Sequence, residues 1–158
     1  MDLQIIQNKI FEIRGCRVML DFHLAELYGV QTKVLKQAVK RNEKRFPSDF
    51  RFTMTKEEWH ELVTNCDQLP ESLKHSYVLP DCFTEQGVAM LSSVLRSQTA
   101  IDVNISIMRA FVLMRQMSIG YEELLKRIEE LEQSTDAQFS EVYQALTKAK
   151  QVEGCLGV

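Results

Sequence analysis

The stretch Leu24-Ala25-Glu26-Leu27-Tyr28-Gly29-Val30-Gln31-Thr32-Lys33-Val34-Leu35-Lys36-Gln37-Ala38 reads as two short helices joined by a tight turn. Ala25 is small, where two helices must approach closely. Gly29 follows four residues later, where the turn favours a positive φ. Leu35 lies ten residues after Ala25 and packs the second helix onto the first. Leu24, Tyr28, Val30 and Ala38 take the remaining inward positions. Asp21 is expected to cap the first helix and Thr32 the second, which runs to about Asn42. The spacing thus places a helix-turn-helix at 21–42.

Val34, Leu35, Ala38 and Val39 form the expected apolar stripe of the second helix. That leaves Lys33, Lys36, Gln37, Lys40 and Lys44 facing outward, with Arg41 beside them. A helix entering the major groove of double-stranded DNA needs this division. Lysines and arginines hold phosphates and release counterions. Gln37 can read adenine bidentately, and a lysine or arginine can read guanine. Gln31 and Thr32 sit near the helix N-terminus, where backbone N–H groups suit a phosphate. Arg45 follows the helix as a further phosphate contact. Arg51 is a candidate on the next strand, which could act as a wing if it forms part of a hairpin. The plain alternative for such a face is a solvated lysine surface. From Gln31 to Arg45 six cations meet one anion, 6 − 1 = +5, although the whole chain carries 19 − 22 = −3. The total argues against a generally adhesive nucleic-acid binder but leaves room for a local basic surface.

Outward from this core, Lys9–Ile13 and Cys16–Met19 are β-prone runs around Arg14-Gly15 and predict a hairpin. Phe46-Pro47-Ser48-Asp49 is a turn signal. Phe50, Phe52 and Met54 then alternate with polar residues, as a half-buried strand does. Thr55-Lys56-Glu57-Glu58 is a capping box opening a helix with Trp59, Leu62, Val63 and Cys66 at helical spacing. A polar loop is expected over Asp67 to Ser76, and a strand at Tyr77-Val78-Leu79 stopped by Pro80. Thr84 opens a helix whose inner side carries Val88, Leu91, Val94 and Leu95. Thr99 and Asp102 form a second capping-box pattern. Beyond them, Ile101, Ile105, Met108 and Val112 make one stripe and Ile107, Phe111 and Met114 another, as in a central, largely buried helix.

After Met117 the pattern narrows to a seam. Tyr121, Leu124, Ile128, Leu131 and Thr135 alternate by three and four, and Phe139, Val142, Leu146 and Ala149 resume after a phase shift. This predicts a coiled coil with a stutter. From Tyr121 to Glu153 four cations meet eight anions, 4 − 8 = −4. The expected organisation is a DNA-binding domain over 1–117 and a coiled-coil tail over 118–158, frayed from Glu153. The tail is expected to join copies of the chain through Tyr121 to Ala149. The fold class that follows is α+β and mostly helical: a helix-turn-helix with small β-hairpins, then a long C-terminal coiled-coil helix.

Several longer runs resemble the Orf-six N-terminal domain family. They are Met19-Leu20-Asp21 with Leu24 to Val30, Thr32 to Asn42, Arg45-Phe46-Pro47 with Asp49-Phe50, Phe83 to Leu95, and Val103-Asn104-Ile105 with Met108 to Val112. The resemblance covers about Ile10 to Met117. It implies a KilA-N-related DNA-binding domain of phages and bacterial mobile elements, with a small sheet beside the helical core. It further implies a regulator of transcription or an antirepressor. The loop Asp67 to Ser76 departs from the family in lacking a glycine- and arginine-rich lead-in.

Other chemistries find little support. No apolar run reaches the ~18 residues of a membrane helix. The start, Met1-Asp2-Leu3-Gln4, lacks a signal-peptide pattern. A cytoplasmic protein with free thiols at Cys16, Cys66, Cys82 and Cys155 is therefore expected. His60, Cys66, His75 and Cys82 are spaced by six, nine and seven residues, unlike zinc knuckles. Phe83-Thr84-Glu85-Gln86-Gly87 could bind a ligand, but a plain helix start accounts for it, with Gly87 allowing close packing. No partnered base or nucleophile is evident, so neither an enzyme nor a cofactor is expected. The competing expectation is a protein-interaction module, in which the tail captures another regulator and the helix-turn-helix is scaffold.

Overall fold

The structure, a computed structural model, describes residues 2–66, 69, 71–74 and 78–155. The chain divides into two compact units, Met1–Met114 and Arg115–Val158. Its elements are α1 (Leu3–Gln7), β1 (Ile10–Ile13), β2 (Cys16–Leu20), α2 (Asp21–Tyr28), α3 (Thr32–Arg41), β3 (Arg51–Thr53), α4 (Lys56–Asn65), α5 (Glu71–Lys74), β4 (Asp81–Thr84), α6 (Glu85–Leu91) and α7 (Gln98–Cys155). A single 3-10 turn, Glu43–Arg45, follows α3. The fold is mostly helical α+β, with one small antiparallel sheet and a long C-terminal helix.

The expected hairpin forms. β1 and β2 pair antiparallel up to Ile13 and Cys16, and Arg14-Gly15 closes the turn with φ of 55° and 73°. Two left-handed residues match the twist of a two-residue hairpin, which glycine adopts freely and arginine does not. The Arg14 guanidinium is held by two 2.8 Å hydrogen bonds to the Glu58 carboxylate and lies 4.3 Å from the Phe52 ring centroid. Glu58 also accepts from Thr55 N–H in the capping box of α4. These bonds hold its carboxyl down at about 2.

The sheet order is β1-β2-β4-β3. Successive side chains alternate between its faces. Met19 and Phe83 face a core with Leu24, Tyr28, Leu35, Val39, Val88, Leu91, Ile107 and Phe111. Val18, Leu20 and Cys82 face a second cluster with Met54, Trp59 and Leu69. Helices therefore cover both faces of the small sheet.

Several expectations need correction. The strand lies at Asp81–Thr84, after Pro80 and not before it. This strand is central, so its N–H groups must pair on both sides, and proline has none to give. Val78 and Leu79 form no strand, and Tyr77 lies outside the described residues, as do 67, 68, 70, 75 and 76 of the expected loop. Within that loop Glu71–Lys74 makes one helical turn. β3 does not form a hairpin wing; it is an edge strand paired with β4 across a long connection. α6 stops at Leu91, where the backbone tightens to i→i−3 bonds from Ser92, Ser93 and Val94 N–H to the carbonyls of Ala89, Met90 and Leu91; the Ser92 and Ser93 hydroxyls donate to the first two of these carbonyls as well. α7 is opened by Ser97, whose Oγ accepts from Ala100 N–H, rather than by Thr99. Along α7 the Ile107–Phe111 side is buried, while Ile101, Ile105 and Val112 are exposed. The second unit is helical through Cys155, and 156–158 lie outside the described residues. Its Tyr121, Leu124, Ile128, Leu131, Phe139, Val142 and Leu146 are all exposed.

One buried base sets a pH dependence. His23 is 6% exposed, packs against the Phe11 and Phe22 rings, and its Nδ1 has no hydrogen-bond partner among the described residues. Burial, with the nearby Lys9 charge, pushes it down to about 4. The unfolded chain therefore takes up the proton first as the pH falls through ~6.5. Stability present above that pH is expected to decline towards pH 4 by about 2–3 kcal/mol. Urea unfolding at pH 7 and 4.5 checks this: His23→Leu is expected to remove that share of the decline.

Candidate nucleic-acid interface

The turn between α2 and α3 is built as its glycine suggests. Gly29 has φ 70° and ψ 29°, and the N–H of Val30 donates to the Ala25 carbonyl at 3.0 Å. Neither helix is capped as expected. The N-cap of α2 is Leu20 and that of α3 is Gln31, each without a side-chain cap bond. Asp21 is the first residue of α2 instead, 2% exposed. Its carboxylate accepts from the N–H groups of Phe22 (2.7 Å) and Asp81 (3.2 Å). Burial raises its pKa, partly opposed by the Asp81 hydrogen bond and Lys36.

Leu35 and Val39 anchor α3, at 0% and 2% exposure, in the core that also holds Ala25 and Tyr28. Each residue of an α-helix advances about 100°. Gln37 therefore lies opposite this pair, at about 160° from each. Lys33 and Lys40 flank it at roughly 40° and 60° on one side, Arg41 and Val34 at roughly 40° and 60° on the other. All five are exposed.

Two members of the expected pattern change places. Val34 was expected inside and is 45% exposed. Lys36 was expected outside and is half-buried, its Nζ 3.3 Å from the Asp21 carboxylate. The buried carboxylate supplies the reason: an ionised acid in a core requires a compensating charge. Lys36 thereby fixes α3 against the start of α2 and β4. Nothing in the local periodicity of α3 announces this, since the partner lies fifteen residues earlier.

The other candidates differ in how free they are. Gln31 is exposed and Thr32 half-buried. Lys44 and Arg45 are exposed on the turn after α3, and Arg45 donates to the Ser93 hydroxyl at 3.3 Å. Arg51 is held across the β3–β4 pair by Asp81 at 3.2 Å. The structure thus gathers Lys33, Gln37, Lys40 and Arg41 on one surface of α3, followed by Lys44 and Arg45, and engages Lys36 and Arg51 internally.

The Phe83–Gly87 segment is a helix start. Thr84 Oγ1 accepts from Gly87 N–H at 3.3 Å, and a Cβ on Gly87 would stand 2.2 Å from the Phe50 carbonyl oxygen. Among the described residues no three His, Cys, Asp or Glu side chains are grouped to hold a metal ion; His75 lies outside them. Among the same residues no helix is long and apolar enough to cross a membrane.

A family model described as the ORF6N domain matches residues 8–94. The match takes in the whole sheet with α2, α3 and α6, and stops before α7, so the Val103 to Val112 run lies beyond it. No curated protein and no solved structure matches the chain.

Proposed function

The chain belongs to the ORF6N domain family, and we propose on that premise that it is a phage- or mobile-element-type regulator that binds double-stranded DNA sequence-specifically. In this reading α2 and α3 are a helix-turn-helix, and α3 lies in the major groove. The observation that carries it is the exposed face of α3, centred on Gln37 and flanked by Lys33, Lys40 and Arg41, opposite a fully buried anchor. Lys33, Lys40, Arg41, Lys44 and Arg45 contact phosphates, and Gln37 with one or two neighbours reads bases. Gln31 and Thr32 offer the start of α3 to a phosphate. Lys36 and Arg51 are positioning residues: one orients α3, the other ties the edge strand.

The chain acts as a cytoplasmic homodimer, joined by a coiled coil from Tyr121 to Ala149. The exposed apolar seam from Tyr121 to Leu146 supports this assignment. The same seam favours a second reading, in which the tail captures another regulator and the protein is an antirepressor-like interaction module. Selection from a random duplex library separates the two. The full chain is expected to enrich two half-sites about 34 Å apart, as paired major-groove readers do. A pool that stays random after repeated rounds contradicts DNA reading and leaves the interaction module.

A further inference from the structure

We propose that the half-site includes a thymine whose C5 methyl packs against Val34, on the same base pair as an adenine read by Gln37 or on the neighbouring pair. This rests on α3 being the DNA-reading helix. Among the exposed residues of α3 (Lys33, Val34, Gln37, Lys40 and Arg41) Val34 alone is apolar. It stands at the edge of the exposed face, beside Arg41 and next to half-buried Ala38, and is 45% exposed. In the major groove the thymine methyl is the apolar feature of the base edges, and A·T pairs present it beside the adenine N6/N7 pair that a glutamine amide matches.

Geometry and entropy agree with this pairing. Val34 and Gln37 are three residues apart, neighbours on one helix surface, and about 4.5 Å apart along the axis. Successive bases of a strand rise about 3.4 Å, so the two side chains address the same or adjacent pairs. Valine is stiff at χ1 in a helix, with one dominant rotamer, so little freedom is lost when it meets a methyl. The cations at Lys33, Lys40 and Arg41 flank Gln37 on both sides, so phosphate contacts can frame its base contact, with Val34 beside Arg41 at the edge of the face.

The test replaces each thymine of the selected duplex, one at a time, by deoxyuridine, which removes the methyl and keeps the pairing. Affinities of the full chain and of Val34→Ala are measured by fluorescence anisotropy. At one thymine the wild type is expected to lose about fourfold, the value of one buried methyl. Val34→Ala is expected to lose at least as much on the thymine duplex and to ignore the replacement at that position. Its thermal unfolding should match wild type, because the side chain leaves the core untouched. If salt-sensitive binding persists and no thymine methyl contributes, the inference is wrong and the DNA-reading assignment stands. The inference is equally wrong if Val34→Ala keeps the full methyl dependence. If no duplex is bound at all, the inference falls together with the assignment it rests on.

Discussion

Gly87→Ala is expected to lower the stability of the first unit by about 3 kcal/mol, through overpacking against backbone. The added Cβ would stand 2.2 Å from the Phe50 carbonyl oxygen and 3.1 Å from its carbon. That carbonyl cannot simply swing away. It accepts from Thr84 N–H at 3.0 Å and from the Thr84 hydroxyl at 3.2 Å. The clash therefore acts at the junction of β3, β4 and α6 at once. Gly29→Ala is the informative comparison. Its φ is 70° with nothing within 4 Å, so only backbone strain is added, about 1 kcal/mol. Urea unfolding followed by the fluorescence of Trp59, the single tryptophan, measures both. Equal midpoints for Gly87→Ala and wild type would sink the close-packing account.

Charge reversal on α3 should divide into two classes of outcome. The triple variant Lys33→Glu, Lys40→Glu, Arg41→Glu is expected to lower DNA affinity by about a hundredfold or more near 0.1 M salt, and to lose only about 1–2 kcal/mol of stability, because Lys40 and Arg41 lie in the last turn of α3. All three side chains are exposed, and no core contact depends on their charge. Lys36→Glu is expected to behave in the opposite way. It sets a second carboxylate against the buried Asp21, where Lys36 Nζ stood at 3.3 Å. Leaving one buried charge unpaired and adding a like charge costs about 3–5 kcal/mol in comparable sites. Stability should therefore fall sharply in Lys36→Glu, with any loss of binding following from it. Equal effects of both variants on binding, with folding intact, would show that Lys36 is a surface contact after all.

What the sequence disclosed was mostly local. The Ala25–Gly29–Leu35 spacing, the Arg14-Gly15 turn and the Thr55–Glu58 capping box all depend on neighbours within a few residues, and each forms. The misplacements trace to long-range partners. α3 carries apolar residues at 34, 35, 38 and 39, wide enough to centre its buried stripe in more than one way. The choice is made by Leu35 and Val39 meeting the core, and by Asp21 drawing Lys36 inward. β4 escaped for a similar reason. Its partners β2 and β3 are distant in the chain, and Asp81-Cys82-Phe83-Thr84 is too short to show a period by itself. The spacing of Ile101, Ile105, Met108 and Val112 reads as core, yet of these Met108 packs against the core while Ile101, Ile105 and Val112 are exposed. Apolar periodicity reports what can be buried, not what covers it.

A salt titration decides whether the exposed face of α3 meets DNA phosphates. Fluorescence anisotropy of the full chain with a mixed-sequence duplex gives the affinity at each salt concentration. Each phosphate neutralised contributes a slope of about −0.9 in log affinity against log salt. With Lys33, Lys40 and Arg41 engaged, the expected slope is about −3 for one α3 and about −5 for both helices of a dimer. Folded protein that shows no binding at low salt, or an affinity indifferent to salt, would contradict it.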